Sequence, residues 1–222
     1  MLIRKEYFSK GGLMGIWKID ETINELINLL PPQLRDDAQE SIKNIGSNRR
    51  TLELLTTRIL LFELLGEVKV ILNQEDGKPY LNDKSYNISI SHTKDYVAIL
   101  LHKELSVGID IETISDRIEK IAHRFISEKE YINPTQKITH LLLHWSTKEC
   151  LYKIINEQGV DFKQQLYIFP FEPALSGTIL AQETKTNNKQ TFKLNYEVHP
   201  TYVLTWVVDT KNAPGIPERS YT

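Results

Sequence analysis

Apolar residues recur along this chain at two periods, and the alternation between those periods separates strands from helices. Residues 11–19 read as a glycine turn followed by a strand, and 21–30 as a short helix stopped by Pro31-Pro32. A polar segment follows, carrying the basic cluster Asn48-Arg49-Arg50. Leu52, Leu55, Ile59, Leu60, Phe62 and Leu65 then form a broad helical stripe over 51–65, ended by Gly66.

Strands are expected at 68–72, 88–92, 96–101 and 105–111, with a turn over 73–79. The last two make residues 95–112 look like a hairpin around His102-Lys103-Glu104. Short helical pieces follow at 119–125 and 128–132, then a long helix over 141–155. Strands close the pattern at 167–169, 177–181, 192–198 and 202–208. Two halves, each with a long helix beside antiparallel strands, predict an α+β pseudo-duplication. The expected division is 1–102 and 103–210, with 211–222 a flexible tail containing Pro214, Gly215 and Pro217.

At 222 residues the chain can bury a substantial core. With 41% hydrophobic and 25% charged residues it has the composition of a globular protein, not a disordered one. A net charge of −2 gives no global basic field, so neither nucleic acid nor an anionic membrane is expected as a partner, and any phosphate contact must be local. The single cysteine, Cys150, excludes an internal disulfide and suits a reducing compartment. The stretch Met1-Leu2-Ile3-Arg4-Lys5-Glu6 lacks the apolar core of a signal peptide, and no apolar run reaches membrane-spanning length. A cytoplasmic location is therefore expected.

Two short runs carry the candidate chemistry. Val107-Gly108-Ile109-Asp110-Ile111-Glu112 sets carboxylates at i and i+2 of a strand, so Asp110 and Glu112 point the same way. Trp145-Ser146-Thr147-Lys148-Glu149-Cys150-Leu151-Tyr152-Lys153 sets Glu149 and Lys153 on one helix face. Converging, these groups would receive a divalent cation and a phosphate. Apart, Asp110 and Glu112 would be exposed residues of an edge strand. Glu149 and Lys153 would be an ordinary i,i+4 ion pair contributing about 0.3–0.5 kcal/mol. Lys148 falls on another face and reads as solvated, whereas Trp145 is placed to shield one side of such a site.

Other groups are less specific. Ser91-His92-Thr93 follows an alternating strand and suits an anion contact about as well as a turn histidine. Gly77-Lys78-Pro79 presents Lys78 on a turn and is not a P-loop. Arg49-Arg50 at a helix start can meet phosphate or simply water. Cys150 is expected to pack in the helix, with no base beside it. No Cys/His set has zinc spacing.

In order, Arg50-Thr51-Leu52, Gly77-Lys78-Pro79, Asn87 to His92, Val107 to Glu112, Arg124 to Tyr131 and Trp145 to Lys153 resemble the 4′-phosphopantetheinyl transferase superfamily, in its longer, pseudo-dimeric, surfactin-synthetase-activating type. The G-I-D-x-E and W-x-x-K-E-x-x-x-K runs are the specific part of the match. The resemblance implies two lobes related by a pseudo-twofold axis in one chain that works as a monomer. It implies Mg²⁺-dependent transfer of 4′-phosphopantetheine from coenzyme A to a serine of an apo acyl or peptidyl carrier protein, releasing adenosine 3′,5′-bisphosphate. Asp110, Glu112 and Glu149 would hold the metal, Glu149 would be the base, and Lys153 would neutralise the bridging oxygen. Arg50, Lys78, Ser91, His92, Asp110 and Lys153 would contact the bound coenzyme A, and Glu130 is a further acid near the metal. A non-catalytic coenzyme A or carrier-binding module, or a metal-dependent phosphohydrolase, would use the same groups differently. One departure stands out: the family often has lysines before the arginine helix, where Pro32 to Ala38 here holds only Arg35.

Overall fold

The computed structural model describes residues 1–8, 11–155 and 157–210; the expected flexible tail, 211–222, lies outside them. The chain opens with a strand the hydrophobic pattern does not reveal, β1 (Leu2–Phe8). Its inner positions include Arg4 and Glu6, so no clean apolar alternation is written there; Arg4 instead ion-pairs with both Glu6 and Glu197.

β2 (Gly12–Lys18) pairs antiparallel with β1. α1 (Ile23–Leu29) starts at a capping box between Thr22 and Glu25. The polar segment after it is a helix, α2 (Pro32–Ile42), with proline in its first turn and Ala38 as its one buried residue. So little apolar surface explains why the sequence did not reveal it. α3 (Asn48–Leu65) begins earlier than expected, capped by Ser47, and ends at Gly66 in the left-handed region at φ 70°. β3 (Ile71–Asn73) and β4 (Pro79–Leu81) form a hairpin, shorter than the strand expected at 68–72 and turned through Gly77 at φ 88°.

β5 (Asn87–His92) and β6 (Tyr96–His102) complete a four-stranded antiparallel sheet, ordered β1-β2-β6-β5. α3 covers one face through a core that includes Leu55, Ile59, Leu60, Ile99 and Leu101. The expected hairpin over 95–112 does not form. β6 pairs with β2 and β5, while β7 (Val107–Thr113) pairs with β11 (Tyr202–Val208) in a second sheet. Close spacing in sequence misled here: the connection carries the chain between layers.

In the second half, α4 (Arg117–Ile121) runs into a 3₁₀ turn at Ala122–Arg124, and the long helix α5 (Lys137–Ile155) begins a turn earlier than expected. The helical piece expected at 128–132 is instead turn and irregular backbone, because the Glu130 carboxylate accepts from the Ser127 and Ile168 backbone N–H groups. β8 (Leu166–Ile168), β9 (Ser176–Glu183) and β10 (Thr191–Val198) complete a five-stranded antiparallel sheet, ordered β7-β11-β10-β9-β8.

Both halves share one connectivity. The strand before the long helix pairs with the last strand, β2 with β6 and β7 with β11, and that last strand pairs with its predecessor, β5 or β10. The uncovered faces meet in a third core, where Met14, Ile16 and Leu100 pack with Ile109, Ile111 and Leu204. The free edge of β7 is closed by side chains: Ser89 Oγ accepts from Ile109 N at 3.0 Å and Ser91 Oγ from Ile111 N at 3.3 Å. An edge strand with open N–H groups is thereby satisfied without a ladder partner. Among the described residues no helix is long and apolar enough to cross a membrane.

Candidate active site

Gly108 sets the distance between β7 and α5. A Cβ on it would stand 2.6 Å from the Cys150 carbonyl oxygen, so the helix can lie this close only over glycine. Ile109 and Ile111 face the core between the sheets, so alternation turns Asp110 and Glu112 the other way, toward α5. The corresponding inward face of β2 carries Leu13, Gly15 and Trp17, against which α3 packs apolar side chains. Acids at these positions belong to the second half.

Lys153 reaches back from the last turn of α5 and donates to Asp110 Oδ1 at 2.8 Å and to the Ile109 carbonyl at 2.8 Å. Ser91 Oγ donates to the same Asp110 oxygen at 2.8 Å. Asp110 is 3% exposed, and its other oxygen, Oδ2, is buried with no protein partner. Trp145 Nε1 donates to Glu112 Oε1 at 2.8 Å, while its ring lies between Phe125 and Phe162. Burial, then the Asp110 charge, pushes the Glu112 carboxyl up to about 7; the same two causes in that order push Glu149 up to about 7. Burial opposes the Lys153 charge, but the facing acids, Asp110 first, outweigh it and raise its pKa.

This donor set is the one a small divalent cation takes. It has hard carboxylate oxygens, one of them orphaned and buried, and two acids that resist ionisation while no cation neutralises them. As the side chains stand, no group of three or more His, Cys, Asp or Glu residues converges to ligating distance among the described residues. Asp110, Glu112 and Glu149 are the acids that could hold such an ion, but only once their side chains have moved together.

Lys153 also lines a cleft of about 940 Å³ between the halves. Arg50, Lys78 and His92 line it too, so four of the expected residues share one wall system. Burial lowers the Lys78 pKa, easing loss of its proton where no anion is present. His92 is half exposed, its Nδ1 3.4 Å from Glu53 Oε2, and Glu53 is also paired with Arg49 at 2.7 Å. Ser91 stands apart from this cleft wall: its hydroxyl is committed to Asp110 and the Ile111 amide.

Two readings of the sequence are corrected here. Lys148 is not solvated: it is wholly buried, 2.8 Å from Glu130, and donates as well to the Phe162 carbonyl at 3.0 Å. Glu130 is therefore a structural counter-charge, its oxygens taken by Lys148 and by backbone amides, and not an additional metal-facing acid. Cys150 packs as expected, buried against Thr205, and burial pushes its thiol pKa well up.

Sequence reasoning gave no role of their own to Ser89, Gly108, Glu53 and Arg58. Gly108 carried a signal, a glycine inside an otherwise apolar strand. Arg58, hidden within an apolar helical stripe, carried none.

Residues 106–207 match the family model described as the 4′-phosphopantetheinyl transferase superfamily. The chain is 31% identical over 132 residues to the 4′-phosphopantetheinyl transferase AcpT of Escherichia coli strain K12, covering 56% of this chain and 64% of that one. It is 27% identical over 150 residues to the 4′-phosphopantetheinyl transferase gsp of Aneurinibacillus migulanus, covering 62% of each. It is 30% identical over 112 residues to the AcpT of Salmonella typhimurium strain LT2, covering 47% and 58%. The chain thus spans a little under two thirds of the length of the relatives it matches. The matched region contains both signature runs, β7 and α5, and over that region the chain is similar to the 4′-phosphopantetheinyl transferase superfamily.

Proposed function

We propose that this chain transfers 4′-phosphopantetheine from coenzyme A to a serine hydroxyl of an apo acyl or peptidyl carrier protein, releasing adenosine 3′,5′-bisphosphate. The observation that carries this reading is the Lys153–Asp110 pair: it borders a basic cleft on one side and an orphaned carboxylate oxygen on the other. A multiply charged ligand with a cation-bound diphosphate meets both halves of that arrangement. Residues 1–102 and 103–210 would act as two lobes of a monomer, with the ligand between them.

Arg50, Lys78 and His92 bind and orient the coenzyme A phosphates within the cleft, and Ser91 fixes the rotamer of Asp110. Asp110, Glu112 and Glu149 would hold Mg²⁺, which when bound supplies charge neutralisation on the diphosphate. Glu149 accepts the carrier serine proton, directly or through a water; its raised pKa suits a base near neutral pH. The serine oxygen bonds to the phosphorus that bears pantetheine. The bond from that phosphorus to the bridging oxygen breaks, and the electron pair leaves on adenosine 3′,5′-bisphosphate. Lys153 donates toward that bridging oxygen as its charge develops. Trp145 keeps one oxygen of Glu112 engaged and water away from that side.

The test is incubation with coenzyme A, Mg²⁺ and a panel of apo carrier proteins, followed by intact-mass measurement. A phosphopantetheine increment on at least one carrier is expected. Coenzyme A binding with no increment on any carrier would leave a binding module in place of an enzyme.

A further inference from the structure

Each acid on the α5-facing side of β7 already has one carboxylate oxygen engaged. Lys153 and Ser91 both donate to Asp110 Oδ1 at 2.8 Å, which leaves only Oδ2 open. Trp145 Nε1 donates to Glu112 Oε1 at 2.8 Å, which leaves only Oε2. Glu149 differs: among the described residues nothing donates a hydrogen bond to its carboxylate. Bringing the acids together therefore falls mainly to Glu149, while Asp110 and Glu112 stay anchored.

The indole that holds Glu112 is itself braced. Its ring centroid lies 5.2 Å from that of Phe125 and 5.6 Å from that of Phe162. The buried Lys148 ammonium donates to the backbone carbonyls of both phenylalanines, so one side chain fixes both walls of the slot. Phe162 is packed in turn against Tyr152 at 5.7 Å. Turning Glu112 to present both oxygens would strip the indole N–H of its acceptor, and the braced ring cannot follow. Hydrogen bonds to an ionised carboxylate are among the strong ones, so the anchored orientation is favoured.

Carboxylates restricted to one oxygen each suit a small cation. Mg²⁺ takes a tight octahedron of oxygens, whereas Ca²⁺ takes about six to eight and accepts carboxylates through both oxygens. We propose that Trp145 is a positioning residue that sets cation specificity: by occupying Glu112 Oε1 it limits that acid to one ligating oxygen and selects Mg²⁺ over Ca²⁺. The assignment rests on the transferase reading for the presence of a cation at these acids.

Cation affinity is to be read on the full chain with coenzyme A present, from the rise in melting temperature across Mg²⁺ and Ca²⁺ concentration series. Wild type is expected to bind Mg²⁺ more tightly. Trp145→Phe, which keeps an aromatic ring and removes the N–H, should shrink that preference roughly ten-fold. A purely structural role would lower the melting temperature without cation and leave the ratio of the two affinities unchanged. Phe162→Leu, which loosens the brace but keeps the donor, should shift the ratio the same way by less. It decides by the same comparison if the first variant does not fold. An unchanged ratio, or a wild type that prefers Ca²⁺, overturns the assignment. Wild type stabilised by neither cation would overturn the cation-dependent transferase reading itself, a different result from an unchanged ratio in the variants.

Discussion

Lys153 and Asp110 are joined at 2.8 Å, and the pair leaves Asp110 Oδ2 buried without a partner. One carboxylate is thus divided between a fixed ammonium and an open valence. On the proposed function, that division is what would let the acids on β7 and α5 receive a cation and, through it, phosphate.

Asp110→Asn tests that division. It removes both the ion pair and the open anionic oxygen, so Mg²⁺ should no longer raise the melting temperature. Transfer should fall by on the order of 10²-fold or more. A variant with undiminished Mg²⁺-dependent stabilisation would place the cation elsewhere.

Gly108→Ala separates geometry from stability. The added methyl group meets the Cys150 carbonyl at 2.6 Å, which α5 can relieve only by moving away from β7. A loss of about 1–3 kcal/mol is expected in urea unfolding, with a larger fall in transfer because Glu149 and Lys153 ride on that helix. Gly66→Ala is the control. It strains the left-handed C-cap at φ 70° by about 1 kcal/mol but meets no neighbouring atom, so transfer per folded molecule should persist.

The Glu130–Lys148 pair should behave as a buried structural bridge. Glu130→Gln or Lys148→Met alone should each cost about 3–5 kcal/mol, because each strands a charge. The double variant should cost much less than the sum. Additive losses in denaturant titrations would show that the two are not coupled.

Acid sensitivity is expected from two histidines of α5. Burial pushes His140 down to about 4; burial, together with His140, pushes His144 down to about 3. Above the usual histidine value of 6.5 both states are neutral and the stability is fully present. Below it the unfolded chain gains protons that the folded one refuses, so stability falls until pH reaches about 4 to 3. His144→Phe should flatten that slope by up to about 1.4 kcal/mol per pH unit, read from urea unfolding across a pH series. An unchanged slope would mean that other groups set the acid limit.

Most elements were legible because their burial is one-sided. β5, β6, β10, β11, α3 and α5 each write a period into the sequence, and each was found near its observed place. β1 and α2 were not, for a common reason. β1 turns Arg4 and Glu6 inward to make ion pairs, and α2 buries a single alanine, so neither writes a hydrophobic period. The expected hairpin over 95–112 failed because local spacing is blind to which strand a sheet edge receives. Lys148 was read as solvated because its partners are far away in sequence, at Phe125, Glu130 and Phe162.

By itself the sequence determined the two signature runs, the side of β7 on which Asp110 and Glu112 point, and the shared helix face of Glu149 and Lys153. Those are consequences of backbone period, which needs no tertiary context. Tertiary structure decided which of these groups are free. Only packing of α5 over Gly108 brings Lys153 onto Asp110, and only the closing of β7 against β5 turns Ser91 from the cleft toward that same carboxylate. It also removed Glu130 from the metal-facing acids and put Arg58 into the cleft wall. Contacts between residues distant in sequence are set by the summed burial of whole sheets and helices, and that sum is not written at any one position.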